Sequence, residues 1–529
     1  CAMKIEPKKT LDRFKRWLEV GDERLGELYN GKMAMRRREF RGVKDTAVDY
    51  VNWLKLWGVL LRFTTMAPLK ISRGFFEYRW LASYLSVPAF VDRNTQGLRK
   101  LQLEMCHQNF RVIIRKGTEF IADMLKADAR MNGDEELSKR IVLFDEMTMS
   151  QIMGGFPNLI GIPYQLMPVF LVSEIDQLSC IPYIDAIESY GLPPDTCPVP
   201  TSEAGAAVLD AYPKCGACFI ASTMPCDGSV MASSYQERRF QIPTYPLSFP
   251  VRYHDEDTLQ AGVEDIKGCI RFIEEHTGEK WDWEAYYENM RRYNKENELE
   301  LERWEVNRTP YPQLFGSMLA LFRMFAYQID GGLDERTLDT YKKVNKMMLE
   351  GYEKRLPVTR YHRYRGLVWS CPSHYYANFS VWLSACWGIT VLADMEMLNF
   401  EKMLNVEDKD KAFEDLARLY ERMVMRKHTN GGHDNVLAEL WRVVEEFDVE
   451  IVIMYQHVAC KTMVGLQGMF DDQARERGVH LIWVPHDLMD PRTVSRREMR
   501  ASVNRYMETV MGATPVDPTL LDFDDENAW

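Results

Sequence analysis

The sequence predicts an α/β protein with two Rossmann-like domains, each a doubly wound parallel sheet, and with helical segments before and between them. Two observations lead to this fold class. Patterns typical of buried strands alternate with helical patterns in two separate blocks, and Gly- and Pro-containing turns punctuate both blocks. In addition, a chain of 529 residues is too long for one hydrophobic core, so two or three domains are expected.

Residues 1–150 are predicted to form a helical N-terminal extension. Apolar residues recur at three- and four-residue intervals in LDRFKRWLEVGDERLGELY and in LQLEMCHQNFRVIIRKGTEFIADMLKADAR. A turn-rich stretch at 153–168 then ends this pattern, because Pro157, Gly161 and Pro163 exclude a continuous helix there.

The first Rossmann-like domain is predicted to span 151–310, because strand and helix patterns alternate from residue 169 onward. The predicted strands are VFLVS (169–173), CFIAST and IPTYPLSFP, and the predicted helices between them are IPYIDAIESYG and SVMASSYQERRF. Two long polar helices complete the block.

A helical connector at 311–360 is predicted to lead into the second Rossmann-like domain, 361–529. The strands predicted there are GLVWSCP, ITVLADMEM, EIVIMYQ and VHLIWVP, each followed by a helical pattern. No repeat of 20–50 residues is visible, but the shared alternation suggests that the two blocks are related halves.

Composition narrows the class of function. The formal net charge of −12 argues against a general nucleic-acid binder. The charge is uneven, since residues 1–150 contain 28 Lys+Arg and 20 Asp+Glu whereas the rest contain 38 and 58. The basic excess peaks at 33–44, which is either a solvated helical face or a docking surface for an acidic partner or a substrate phosphate.

Cysteine usage and hydropathy predict a cytoplasmic protein. Eleven Cys occur without a signal peptide and without the density of a disulfide scaffold, which indicates a reducing compartment. No apolar run reaches the length needed to cross a bilayer. The nearest, VNWLKLWGVLLRF (51–63), is interpreted as a buried or partner-facing helix.

Three cysteines are the strongest candidates for chemistry. Cys197, Cys226 and Cys460 each lie in a loop after an apolar or turn-rich segment, and the last two follow predicted buried strands. The loops at the carboxyl ends of parallel strands converge on one crevice. Three thiolates brought together there could hold an iron–sulfur cube and leave one iron open.

Other residues supply weaker candidates. His457 precedes Cys460 by three residues and is a candidate proton carrier, ahead of His254 and His374. The KCGAC motif also allows an alternative interpretation, a structural zinc site formed by Cys215, Cys218 and Cys226. The sequence has no P-loop, GxGxxG, GxSxG or HExxH motif, so any ATP chemistry would belong to a partner.

Three segments resemble the 2-hydroxyacyl-CoA dehydratase and benzoyl-CoA reductase subunit family. VEIVIMYQHVACKTMVGLQGMF and the sequence after it, which includes Asp490, Pro491 and Arg492, resemble the family's carboxy-terminal cysteine loop and its DPR motif. ESYGLPPDTCPVPTSEAGAAV resembles the family's first cysteine loop, and CFIASTMPCDGSVMASSYQERRF resembles its second. The similarity covers roughly residues 150–520.

This resemblance implies one 4Fe–4S cluster per chain, held between the two domains by Cys197, Cys226 and Cys460. It also implies a homologous second subunit or a second copy of the chain, an acyl-CoA substrate, and a separate ATP-hydrolysing iron–sulfur activator that donates the electron. Neither nucleic acid nor a membrane is an expected partner.

The reaction that the resemblance implies is removal of water from a 2-hydroxyacyl-CoA. One added electron turns the thioester carbonyl into a ketyl radical anion, which expels the adjacent hydroxide. The β-hydrogen then becomes acidic, and loss of that proton and of the electron gives the 2-enoyl-CoA. Reduction of an aromatic thioester such as benzoyl-CoA is one alternative, and a non-catalytic electron-relay or scaffold subunit is another.

Overall fold

The computed structural model describes most of the chain. Three sequence predictions fall outside it: Cys226, His254, and the basic stretch up to residue 42. The described residues are 43–95, 98, 100–145, 150–222, 227–249, 255–359, 361–395, 400–422 and 433–522.

Within the described residues, eight short β-strands form two four-stranded sheets, and every pair of neighbouring strands is parallel. The strands are β1 (Ile141–Phe144), β2 (Ile160–Pro163), β3 (Cys218–Ser222), β4 (Thr244–Leu247), β5 (Tyr364–Trp369), β6 (Ile389–Ala393), β7 (Ile451–His457) and β8 (His480–His486).

The two sheets have the same topology. The strand order is β2-β1-β3-β4 in the first sheet and β6-β5-β7-β8 in the second. In both, the order reverses beside the first strand of the sheet, and such a reversal opens a crevice at the carboxyl ends of the central strands. The α/β class with two parallel sheets is therefore confirmed.

Helices surround both sheets and precede the first one. They are α1 (Val43–Met66), α2 (Pro68–Glu77), α3 (Val87–Asn94), α4 (Lys100–Ala127), α5 (Glu135–Lys139), α6 (Leu171–Ile175), α7 (Ile181–Glu188), α8 (Pro198–Val208), α9 (Asp227–Phe240), α10 (Glu256–Thr277), α11 (Trp283–Arg308), α12 (Ser317–Met324), α13 (Glu335–Glu353), α14 (Phe379–Trp387), α15 (Lys409–Glu421), α16 (His433–Glu446), α17 (Lys461–Val464), α18 (Gln467–Arg477) and α19 (Arg496–Thr509).

The central strands are buried because helices cover the sheets. All five residues of β3 are buried, and so are the first five of β7, which gives the continuous apolar runs typical of parallel strands. One large core cluster includes residues from both sheets, such as Phe219 and Trp369. A second cluster covers the other face of the second sheet and includes Trp382 and Met499, from α14 and α19.

The helices before the first sheet pack against the helices that connect the two sheets. The two Nη groups of Arg336, on α13, donate to the Glu119 carboxylate of α4 at 2.8 and 2.6 Å. The Gln102 side chain of α4 also donates to Gln313 at 3.0 Å. These contacts attach the N-terminal helices to the middle of the chain.

The prediction of a strand at 169–173 is wrong. Residues 166–170 form a π-helix that continues directly into α6. A short apolar run does not distinguish a buried strand from a buried helix, and local hydrogen bonds stabilise the helix here. The Ser173 hydroxyl donates to the Phe170 carbonyl at 2.6 Å, and the Tyr84 hydroxyl donates to the Met167 carbonyl at 2.7 Å.

Two strands of the first sheet were not predicted. The central strand β1 lies at the end of a segment that reads as helical, and β2 lies inside the turn-rich stretch 153–168. Each has only four residues, which is too short for a clear pattern of alternation. The first sheet therefore begins at Ile141, ahead of residue 151.

Candidate functional site

The carboxyl edge of the second sheet presents two buried histidines. His457 is the last residue of β7 and His486 the last of β8, and they face each other in the parallel register. Their ring centroids are 5.5 Å apart. Because both lie on paired strands, the backbone hydrogen bonds of the ladder fix their positions.

Cys460 follows β7 directly and precedes a helix. Its amide donates to the His457 carbonyl at 2.9 Å, and its carbonyl accepts from the Val464 amide at 3.1 Å. The side chain is half-buried. A thiolate at this position is favoured by the partial positive charge of the helix start that follows.

Cys197, from the first half of the chain, reaches the same site. It is the residue immediately before α8 and is half-buried, and Pro198 occupies the first turn of that helix. Its Sγ lies 3.3 Å from Nε2 of His457. His457 therefore contacts both cysteine loops. Its imidazole ring contacts Cys197, and its backbone carbonyl accepts from the Cys460 amide.

Three further polar residues lie beside this contact: Ser173 and Glu174 on α6, and His374 in the loop after β5. The Ser173 hydroxyl donates its one proton to the Phe170 carbonyl, so its oxygen accepts from Nδ1–H of His374 at 2.7 Å. Nε2 of His374 is then unprotonated, and it lies 3.9 Å from the Glu174 carboxyl. The His374 amide also donates to the Leu488 carbonyl at 2.8 Å, which ties this loop to the one after β8.

Burial keeps the three histidines uncharged. It lowers the pKa of His457 to about 4 and that of His374 to about 3, with a further decrease at His374 from the nearby His457. It also lowers the pKa of His486. Burial acts in the opposite direction on the Glu174 carboxyl and raises its pKa to about 8, so Glu174 exchanges a proton near neutral pH.

The loop after β8 connects the two halves of the chain. The Arg492 guanidinium donates to Asp185, on α7, at 2.8 Å and to Asp490 at 2.7 Å. The Asp487 carboxylate accepts from the amides of Met489 and Asp490 at 2.9 and 2.8 Å. The predicted DPR segment thus lies at the contact between the halves.

The alternative zinc site on Cys215, Cys218 and Cys226 receives no support from the two thiols that the structure describes. Both are buried at the amino end of β3, whereas the loop that carries Cys460 follows the carboxyl end of β7. Burial raises the pKa of Cys218 to about 12 and raises that of Cys215 as well.

Two of the three predicted cluster ligands can be placed. All nine cysteines within the described ranges are free of disulfides, including Cys197 and Cys460. Within those same ranges, no three His, Cys, Asp or Glu side chains converge as a metal site. Cys226 lies outside the described residues, but α9 begins at the residue after it, so all three cysteines directly precede a helix in sequence.

A family model for the 2-hydroxyglutaryl-CoA dehydratase D-component matches residues 180–510, more than half of the chain. The chain belongs to this family. The match includes Cys197, Cys226, His457, Cys460 and the DPR segment, and it confirms the resemblance read from the cysteine loops. No curated protein matches the chain closely enough to count as a relative.

Membership of the 2-hydroxyglutaryl-CoA dehydratase D-component family makes the chain a dehydratase-type subunit, a lyase that acts on CoA thioesters. The family model starts at residue 180, so it leaves out β1, β2 and α6. No helix in the described part of the chain is long and apolar enough to cross a membrane.

Sequence reasoning missed several residues of the site. Ser173 was missed because it lies in the segment 169–173 that reads as a strand, and Glu174 because it directly follows that segment. His486 was missed because it ends a strand without a following cysteine. Cys371 lies two residues after β5, half-buried, as Cys460 lies just after β7. The criterion that selected Cys460 would also have selected Cys371.

Proposed function

We propose that this chain is the iron–sulfur subunit of a 2-hydroxyacyl-CoA dehydratase, which removes water from a 2-hydroxyacyl-CoA to give a 2-enoyl-CoA. The observation that carries the proposal is the approach of Cys197, from one half, to His457 and the Cys460 loop, from the other. A cofactor held between the halves requires this meeting of thiols that are distant in sequence.

The residues present fit a cluster bound by Cys197, Cys226 and Cys460. Cys197 and Cys460 are partly exposed thiols outside any disulfide, at the starts of helices, where the thiolate is stabilised. Three thiolate ligands leave one iron of a 4Fe–4S cluster without a protein ligand. When bound, the cluster supplies a single low-potential electron and an open position for an oxygen ligand.

In this proposal, His457 orients the Cys197 sulfur. Its Nε2–H donates to the thiolate, so its Nδ1, which has no hydrogen-bond partner in the described structure, carries the lone pair. A neutral imidazole in this orientation adds a hydrogen bond to sulfur without adding charge. The same ring remains the predicted proton carrier.

Glu174 is the better candidate for taking the proton from the β-carbon. Its pKa of about 8 brings it close to the range in which a general base works well at neutral pH. His374 stays neutral beside it, with its tautomer fixed by Ser173, and turns its unprotonated Nε2 toward the carboxyl.

The proposed reaction needs an electron donor that hydrolyses ATP, and this donor is proposed to be a separate protein. The sequence contains no nucleotide-binding motif, so we propose that a separate ATP-dependent iron–sulfur activator delivers the electron. A homologous subunit or a second copy completes the enzyme, and an oxygen-poor cytoplasm suits its cluster. Nucleic acid is not a proposed partner.

The test is anaerobic purification followed by iron and sulfide analysis and an activity assay with the activator, ATP and a 2-hydroxyacyl-CoA. About four iron and four sulfide per chain and formation of the 2-enoyl-CoA are expected. Cys197→Ser, Cys226→Ser and Cys460→Ser should each lose the brown colour and the activity.

Cys386→Ser and Cys106→Ser are the matched controls, since both thiols are buried inside helices away from the site, and they should keep colour and activity. Equal iron content in all five variants would contradict the ligand assignment. Reduction of benzoyl-CoA without dehydration would favour the reductase alternative, and a full cluster with neither activity would favour the electron-relay alternative.

A further inference from the structure

A row of buried polar side chains lies along α11, far along the chain from the cysteine loops. Tyr293, Glu296, Asn297 and Glu300 are spaced for one helical face, and all four are fully buried. Glu300 is paired with Arg323 at 2.6 Å. Neither carboxylate oxygen of Glu296 accepts a hydrogen bond within the described structure.

A second unpartnered carboxylate faces Glu296. Asp330 ends a π-helix at Phe325–Asp330, a distortion that is frequent at functional sites. Its side chain is fully buried. The Thr337 hydroxyl and the Asp334 amide lie nearest its oxygens, but neither forms a well-aligned hydrogen bond with them. Burial raises the pKa of both carboxyls, and the charge of Asp330 raises that of Glu296 further.

Two amide oxygens complete the cluster, and their orientation is fixed. The Gln151 amide nitrogen donates to the Tyr327 carbonyl, and the Asn297 amide nitrogen donates to the Lys402 carbonyl at 3.1 Å. Each amide therefore turns its oxygen the other way. Both oxygens are buried without a well-aligned hydrogen bond in the part of the chain described. Both amides lie beside the Tyr293 phenol, whose single proton can serve only one of them.

Gly331 allows the Gln151 segment to approach Asp330. The residue has a φ of +57°, and a Cβ placed there would lie 2.7 Å from Ser150 Oγ and 3.1 Å from Gln151 Cδ. A side chain at position 331 would push these groups apart. The glycine thus brings the Gln151 amide next to the aspartate.

The cluster has more hydrogen-bond acceptors than donors. The acceptors are both oxygens of Glu296, both oxygens of Asp330, and the amide oxygens of Gln151 and Asn297. The donors around them are the hydroxyls of Tyr293, Thr337 and Ser150 and the Asp334 amide. Each hydroxyl donates one proton. The charges of Lys116 and Arg292 lower the pKa of Asp330 and of Glu296, respectively, but burial outweighs them and both pKa values stay raised. Buried acceptors that remain unsatisfied are costly, and a bound cation would satisfy them.

We propose that this cluster binds one hard divalent cation, Ca²⁺ or Mg²⁺, through the carboxylate and amide oxygens of Glu296, Asp330, Gln151 and Asn297. Such cations prefer oxygen ligands and bind acidic sites that also supply neutral carbonyl groups. The site is separate from the cysteine loops and contains no sulfur or nitrogen ligand. The ion would tie α11, the π-helix and the segment after β1 together.

The test uses full-length protein, purified anaerobically and treated with a chelator. Calcium and magnesium are measured apart from iron, and thermal unfolding is followed on addition of CaCl₂ or MgCl₂ at constant ionic strength. We expect about one ion per chain to rebind, and a rise in unfolding temperature of roughly 2–4 °C at hundredfold saturation, since an ion that binds only the folded state stabilises it.

Two variants and a control locate the ion. Glu296→Gln and Asp330→Asn should each lose the stabilisation by the added ion. Neither should unfold at a lower temperature than metal-free wild type, because each replaces a buried carboxyl whose ionisation burial already opposes with a neutral amide of similar shape. Glu298→Gln makes the same charge change two positions away on the half-exposed face of α11 and should behave as wild type does.

Three results would overturn the proposal. Wild type that neither retains nor responds to either ion would mean that protons or water satisfy the cluster. A full response in Glu296→Gln and Asp330→Asn would place the ion elsewhere, and a response lost in Glu298→Gln as well would reflect general charge. All three readouts are independent of iron content and of dehydratase activity.

Discussion

The two halves share one sheet topology but contribute to the candidate site in different ways. The second half supplies His457 and His486 from the ends of seven-residue strands that are paired along their whole length. The first half has strands of four or five residues and supplies Cys197 and Glu174 from helix starts and short helices outside the sheet.

This difference between the halves determines how firmly each side chain of the site is held in position. Side chains on paired strands keep their position because the ladder holds the backbone. Side chains at helix starts depend on contacts between the halves, here His457 with Cys197, His374 with Ser173 and Arg492 with Asp185. The second half therefore has site residues whose positions are set by its own sheet, whereas the site residues of the first half are positioned by contacts with the second half.

The largest effect is expected from Arg323→Met, which removes the cation that holds the second half to the connector. Arg323 is buried and bonds both Glu300 and Asp394 at 2.6 Å, and Asp394 directly follows β6. Asp394 would lose its buried counter-charge, and Glu300 would keep only Arg303, at 3.2 Å. We therefore expect a loss of about 3–5 kcal/mol in unfolding free energy, measured by chemical denaturation.

Arg336→Met is the matched comparison, because Arg336 also bonds two carboxylates, Glu119 and Asp334, but its side chain is one-third exposed. Water can then solvate the acids, and the loss should be clearly smaller. Equal losses for the two variants would contradict the view that burial sets the effect.

The next effect concerns catalysis, through His457→Gln. This change removes the ring that contacts Cys197 but keeps a side chain that can donate a hydrogen bond. We expect the dehydratase rate to fall by roughly 10²- to 10⁴-fold if the ring carries protons, with the iron content retained. His480→Gln, at the opposite end of the neighbouring strand β8, should leave the rate unchanged.

Glu174→Gln should change the pH dependence. If the carboxylate takes the substrate proton, the wild-type rate rises with pH through about 8, the pKa of Glu174, and the variant loses this dependence. A folded-state pKa above the unfolded value also means that wild-type stability falls as pH rises from about 4.5 to about 8, by at most ~1.4 kcal/mol per pH unit.

The variant should therefore show a flatter unfolding temperature between pH 5 and 8. Glu476→Gln, an exposed carboxyl on α18, is the control and should retain both wild-type profiles. A Glu174→Gln rate profile identical to that of wild type would exclude Glu174 as the base.

The smallest effect is expected from Asp185→Ala, which removes the ion pair with Arg492 that joins the halves and leaves Arg492 bonded to Asp490. Water screens this pair at the surface, so the loss should be about 0.2–1 kcal/mol. A loss of several kcal/mol in denaturant unfolding would mean that the contact between the halves depends on this pair.

The sequence predicted the second half of the fold better than the first. The strands β5 to β8 are apolar runs with clear boundaries, so all four were found, whereas β1 and β2 are too short to give a pattern and 169–173 is apolar but helical. The site followed the same division. Cys197, Cys460 and His457 stand beside recognisable elements, but Glu174 and His486 depend on tertiary packing that periodicity does not encode.

The central claim is that thiols from both halves hold one cluster. Anomalous diffraction at the iron absorption edge, from crystals grown without oxygen, tests it most directly. We predict a single compact group of iron atoms within bonding distance, about 2.3 Å, of the sulfurs of Cys197, Cys226 and Cys460. Iron bound to thiols of only one half, or no iron beside Cys197 and Cys460, would contradict the account.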